Sequence, residues 1–164
     1  MSARMTVTAC DLPSKALLQR SRTAQGFADC YTVEIDRAVS QAQFITAFYT
    51  TPLFKVERAI LKWFAQRAST DADAQALAAG TRDTFAAWRV EARDESQILL
   101  ADFTGRTRSW LMVEPLAAGS TRLYFGSGIV PKVDAKSGQG SMGIAFTALL
   151  GFHRLYSRAL LSAA

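Results

Sequence analysis

Between residues 81 and 130 apolar and polar side chains alternate in short runs, and each run ends at a turn signal. Residues 85–92 alternate and are rich in β-formers; Asp94-Glu95 breaks the pattern. Residues 97–103 follow, then Thr104-Gly105 as a tight turn, then residues 106–114, stopped by Pro115, which cannot donate to a ladder. Ala118-Gly119-Ser120 is the next turn, and residues 121–130 form the last run before Pro131. Runs of this length joined by such turns predict four consecutive antiparallel strands.

The turn at Thr104-Gly105 sets a register. It places Phe103 opposite Arg106, Asp102 opposite Thr107, Leu100 opposite Ser109 and Ile98 opposite Leu111. Side chains alternate with period two. One face then carries Ile98, Leu100, Asp102, Thr107, Ser109, Leu111, Val113, Leu123, Phe125, Ser127 and Ile129. The other carries Leu99, Phe103, Arg106, Arg108, Trp110, Met112, Arg122 and Tyr124. Three arginines assign the second face to water and the first to the core. A one-residue slip would exchange them. In the first strand of the meander, Trp88 and Val90 fall on one face and Phe85, Ala87 and Arg89 on the other. Ala87 is then opposite Asp102, with Arg89 its diagonal neighbour.

Both flanks read as helix. Residues 1–10 are expected to be poorly ordered. Asp11-Leu12-Pro13-Ser14 starts a helical turn through Leu17 and Leu18, broken at Gly26. Residues 30–35 form a first strand, expected at a sheet edge. Ser40 with Gln43 three residues on is a capping box, opening a helix with Phe44, Ala47 and Phe48 on its apolar stripe. Thr51-Pro52 begins a second helix, in which Leu53, Val56, Ile60, Trp63 and Phe64 repeat at helical spacing. Residues 69–79 read as a short helix or a connection, with Gly80 as a helix stop. Residues 134–141 are loop-like. From Met142 the helical pattern returns, with Ala145, Phe146, Leu149, Leu150, His153, Tyr156 and Leu160 on one broad face. An apolar helix of that length needs a surface, and the concave side of the sheet is the one available.

Composition narrows the function classes. The chain has 164 residues, 49% of them hydrophobic and 20% charged, as expected of one globular domain spanning residues 1–164. The net charge of +5 is dispersed over isolated pairs such as Arg20/Arg22 and Lys132/Lys136, without a nucleic-acid motif, so no nucleic-acid partner is expected. Cys10 and Cys30 are the only cysteines. Two do not make a disulfide framework or a metal spacing, and reduced thiols in a cytoplasmic protein are the reading. No signal peptide or transmembrane segment is expected: the longest apolar stretch, residues 142–152, is too short and contains Gly143 and Gly151. No metal or cofactor is called for.

The order of strand, helix pair, antiparallel meander and long C-terminal helix resembles the helix-grip fold of the START-like superfamily, which includes polyketide cyclase-like proteins. Ala28-Asp29-Cys30-Tyr31, the helix pair up to Trp63 and Phe152-His153-Arg154-Leu155 look like a group of small uncharacterised bacterial proteins within it. The resemblance implies an α+β fold in which a curved antiparallel sheet wraps around the C-terminal helix, with a cavity between them for an apolar molecule. Some superfamily members catalyse cyclisation or isomerisation there, and fold alone does not choose.

Three function classes follow. In the first, the cavity binds a small apolar or amphipathic ligand. Leu111, Val113, Phe125, Ile129, Leu149 and Tyr156 supply the lining, and Arg89, Asp102 and His153 the polar orienting groups. In the second, a cyclase or isomerase uses His153 and Asp102 as catalytic groups converging on one void. The plainer reading of His153, the only histidine, is a core residue with a satisfied hydrogen bond. In the third, Trp88, Trp110, Leu99, Met112 and Tyr124 form an outward aromatic face that makes a homodimer. The plainer reading of Gly126 and Gly128 is a bend that curves the sheet.

Overall fold

The computed structural model describes residues 5–22, 26–52, 55, 69–130, 132–133 and 140–141. Their centre is a seven-stranded antiparallel sheet in the order β1-β2-β7-β6-β5-β4-β3. The strands are β1 (Thr8–Ala9), β2 (Phe27–Ile35), β3 (Thr84–Phe85), β4 (Trp88–Arg93), β5 (Gln97–Asp102), β6 (Thr107–Pro115) and β7 (Thr121–Ile129). A separate two-stranded ribbon pairs β8 (Lys132–Val133) with β9 (Gly140–Ser141).

The register read from the Thr104-Gly105 turn holds: Ile98 pairs with Leu111 and Leu100 with Ser109. The connection itself is longer than two residues. Gly105 adopts φ +72°, and its N–H donates to the Asp102 carbonyl at 2.9 Å. Between Val90 and Ala92 the pairing of β4 with β5 shifts by one residue at a bulge. Beyond the bulge Trp88, not Ala87, is opposite Asp102, and Arg89 pairs with Ala101. Trp88 and Val90 therefore pack on the inner side, and Arg89 is exposed. The first strand is also not at the edge expected for it. β2 pairs along its full length with β7, and only the two-residue β1 lies outside it.

Helix α1 (Gln41–Tyr49) starts at the capping box foreseen for it. The Gln43 N–H donates to Ser40 Oγ at 3.2 Å, and the Ser40 N–H to Gln43 Oε1 at 2.9 Å. Pro52 and Lys55 are helical, and the Lys55 N–H donates to the Thr51 carbonyl at 2.9 Å. Residues 56–68, predicted as the body of that second helix, lie outside the described residues. Helix α2 (Asp71–Ala79) has a second capping box, Thr70 with Asp73, and ends on Gly80 at φ +76°. Two 3₁₀ turns, Leu17–Ser21 and Ala117–Gly119, also occur among the described residues.

The expected helix-grip, with a sheet wrapped around a long C-terminal helix, is not the architecture of these residues. They form a sheet-dominated fold with two nine-residue helices, and α1 and α2 occupy the face assigned to the last helix. The reason is local. Phe44, Ile45, Phe48 and Tyr49 of α1 and Ala74 and Leu77 of α2 satisfy the inner face, packing with Ile98, Leu100, Leu111, Val113, Leu123 and Phe125. The Phe48 and Phe125 rings lie 4.8 Å apart between centroids, and Tyr49 sits 5.4 Å from Phe85. The stretch from residue 142, predicted as the grip helix, lies outside the described residues.

The opposite face is buried too. Leu99, Trp110 and Met112 are fully covered, and Tyr124 is nearly so. Their cover is the N-terminal segment, which places Ala16 and Leu18 against them. Leu18 fits a slot left by two glycines: a Cβ on Gly126 would come within 2.8 Å of Leu18 Cδ2, and one on Gly128 within 2.9 Å of Leu18 Cδ1. These glycines make room for a side chain rather than marking a bend. The aromatic face expected to meet water and form a homodimer is thus an internal layer. No described helix is long and apolar enough to cross a membrane.

Candidate functional site

An open pocket of about 260 Å³ lies where the end of β2 meets the start of α1. Val33 and Ile35 of β2, Leu123 of β7, and Phe44 and Ala47 of α1 give it apolar walls, with Val39 and Met5 at its margins. Arg37 and Gln43 are its long polar side chains. The local sequence explains the opening. β2 must stop before α1 can start, and residues 36–40 bridge the two as irregular chain. Thr121 holds this bridge to the sheet: its hydroxyl donates to the Arg37 carbonyl at 2.8 Å and accepts the Val39 N–H at 3.0 Å. Arg37 is exposed and makes no ion pair with a described residue. Gln43 spends its Oε1 on the helix cap.

A second polar feature crosses the inner face beyond the aromatic layer. Asp29, Ser127 and Ser109 are successive cross-strand neighbours on β2, β7 and β6. Asp29 Oδ1 accepts from both the N–H and the hydroxyl of Ser127, and Tyr49 and Ser109 share a buried hydroxyl–hydroxyl bond of 2.9 Å. Asp29 Oδ2 is buried without a hydrogen-bond partner among the described residues. The row is a chain of acceptors and hydroxyls. It sets one carboxylate, Asp29, beside the hydroxyls of Ser127, Ser109 and Tyr49.

The residues singled out in the sequence fall in three places. Leu111, Val113, Phe125 and Ile129 are buried, as predicted for inner-face positions. Leu111, Val113 and Phe125 pack directly on the helices instead of lining the pocket, which forms one position further along, at Leu123. Arg89 and Asp102 are not brought together, because the β4 bulge turns Arg89 outward. Asp102 is used up by its own turn: its carboxylate accepts from the Arg106 N–H at 2.9 Å, the Thr107 N–H at 3.1 Å and the Thr104 hydroxyl at 2.6 Å. Against the cost of partial burial, those bonds hold its pKa below the ordinary aspartate value. Leu149, His153 and Tyr156 lie outside the described residues. Sequence reasoning missed Arg37 and the pocket walls on β2. The available signal was a lone cation placed directly between an apolar strand and a helix cap.

Among the described residues no cluster of histidine, cysteine, aspartate or glutamate could hold a metal ion. No family model, no curated protein and no solved structure matches the chain. The resemblance to START-like proteins therefore rests on the residues quoted for it.

Proposed function

We propose that this protein binds a small amphipathic molecule in the pocket between β2 and α1, with the apolar part against Val33, Ile35, Phe44, Ala47 and Leu123 and an anionic end at Arg37. One observation carries the reading: an open hollow with apolar walls, lined also by a guanidinium, that of Arg37, which makes no ion pair with a described residue. Arginine is suited to such an end because its planar fork meets a carboxylate with two parallel hydrogen bonds. At about 260 Å³ the hollow is smaller than the ~300–1,000 Å³ typical of drug-sized ligands, which favours a short acyl or aryl carboxylate over a lipid or sterol. A cytoplasmic setting belongs to this reading, supported by a cysteine pattern that is not a disulfide framework.

An enzymatic reading gains no comparable support. Asp102 is committed to its turn, and the acid–base pair it would form with His153 has no second member among the described residues.

Calorimetric titration with a medium-chain carboxylate and with the alcohol of equal length tests the proposal. Arg37 is exposed, so Arg37→Gln is expected to leave the fold intact. It should weaken carboxylate binding by about tenfold, the ~1.5 kcal/mol of one charge-assisted hydrogen bond, and leave alcohol binding unchanged. Equal loss for both ligands, or no saturable binding of either, would overturn it.

A further inference from the structure

The ladder between β1 and β2 pairs Thr8 with Thr32 and Ala9 with Tyr31, so the next pair inward is Cys10 with Cys30. The Cys10 N–H donates to the Cys30 carbonyl at 3.0 Å, continuing the ladder. Neighbouring antiparallel Cα atoms lie about 4.5–5.5 Å apart, within the roughly 4.4–6.8 Å that a disulfide spans. Both side chains leave the sheet on the outer face, and their sulfurs are 3.0 Å apart as free thiols.

We propose that Cys10 and Cys30 are an oxidative modification site: a low-molecular-weight disulfide converts them into a cross-strand disulfide that clips the N-terminal segment over the outer face of the sheet. Half-buried Cys10 is the accessible member. Its thiolate attacks the small disulfide, giving a mixed disulfide and releasing one small thiol. Cys30 then loses its proton and attacks Cys10 Sγ, displacing the second small thiol. The protein gives up two protons and two electrons, and the small disulfide takes them up to become two thiols.

The bond would close a loop that contains the whole outer cover. Leu17 and Leu18 lie inside it, with Leu18 in the slot at Gly126 and Gly128 and the Leu17 N–H bonded to Gln97 Oε1 at 2.9 Å. Burial raises the pKa of both thiols, so few thiolates exist at neutral pH and the exchange is slow there and faster in mild alkali.

The test incubates the full chain with oxidised glutathione at about pH 8, then measures intact mass, peptide map and thermal unfolding. The expected result is the loss of two hydrogens, a Cys10–Cys30 linked peptide, and a Tm raised by about 5–10 °C that a dithiol reductant reverses. Cys10→Ser should lose the Tm response and leave the fold unchanged under reducing conditions. Stable glutathione adducts without ring closure would overturn the proposal. So would closure of the bond without a rise in Tm, because the N-terminal cover would then not be what it fastens.

Discussion

Single residues carry more of this fold than their sequence positions suggest, and Gln97 is the clearest case. Its buried amide makes four hydrogen bonds. Oε1 accepts from Trp110 Nε1 and from the Leu17 N–H, each at 2.9 Å. Nε2 donates to the Lys15 carbonyl at 3.1 Å and to Asp94 Oδ2 at 3.0 Å. One side chain thus joins the N-terminal cover, a turn and the neighbouring strand. Gln97→Leu keeps the volume but leaves two buried N–H donors without an acceptor, and should cost about 2–4 kcal/mol in urea denaturation. Gly126→Ala fails for the opposite reason. Its new Cβ would sit 2.8 Å from both Leu18 and Trp110 and 2.9 Å from the Asp29 carbonyl, so the loss expected in the same assay is about 1–3 kcal/mol. Neither role was legible in the sequence. A glutamine at a strand start and a glycine in a strand are ambiguous until the element packed over them is known. The Ser40–Gln43 capping box was legible, because both partners lie within one turn of chain.

At the scale of elements, legibility followed locality. The β5–β6 register came from one turn and a period-two pattern, and it is correct at Ile98–Leu111 and Leu100–Ser109. The bulge at Glu91 left no comparable signal. It exchanges the faces of Trp88 and Arg89, and it removes the Arg89–Asp102 pair from the candidate site. Turns and strand ends are fastened by carboxylates. Hydrogen bonds from Ser96 and Gln97 outweigh desolvation at Asp94, and Asp102 is held down in the same way. A hydrogen bond from Lys15, with help from Tyr124 and Arg122, lowers Glu114. A carboxyl whose folded pKa is depressed contributes stability above its unfolded value, and that contribution is lost as pH falls through the folded value. Stability measured by urea midpoint should therefore stay level from neutral pH to about 5 and fall below about pH 4. A midpoint that held constant to about pH 2 would mean these bonds contribute nothing.

For the whole molecule, the segments that cover the sheet are not those that apolar length along the chain suggests. By length the stretch from residue 142 would take the inner face, and the three arginines would turn the outer face to water. In the described structure the short helices α1 and α2 take the inner face and the N-terminal segment takes the outer one. Apolar length is a poor guide to position, because a cover is chosen by fit. Leu18 is a single residue, yet it is fully buried in the double-glycine slot. The hollow beside Arg37 is open, and the functional claim depends on it. The most direct test is a nuclear magnetic resonance titration of isotopically labelled protein with a short acyl carboxylate. The account predicts saturable shifts concentrated at Val33, Ile35, Arg37, Val39, Phe44, Ala47 and Leu123. Shifts concentrated elsewhere, or none at saturating ligand, would contradict it.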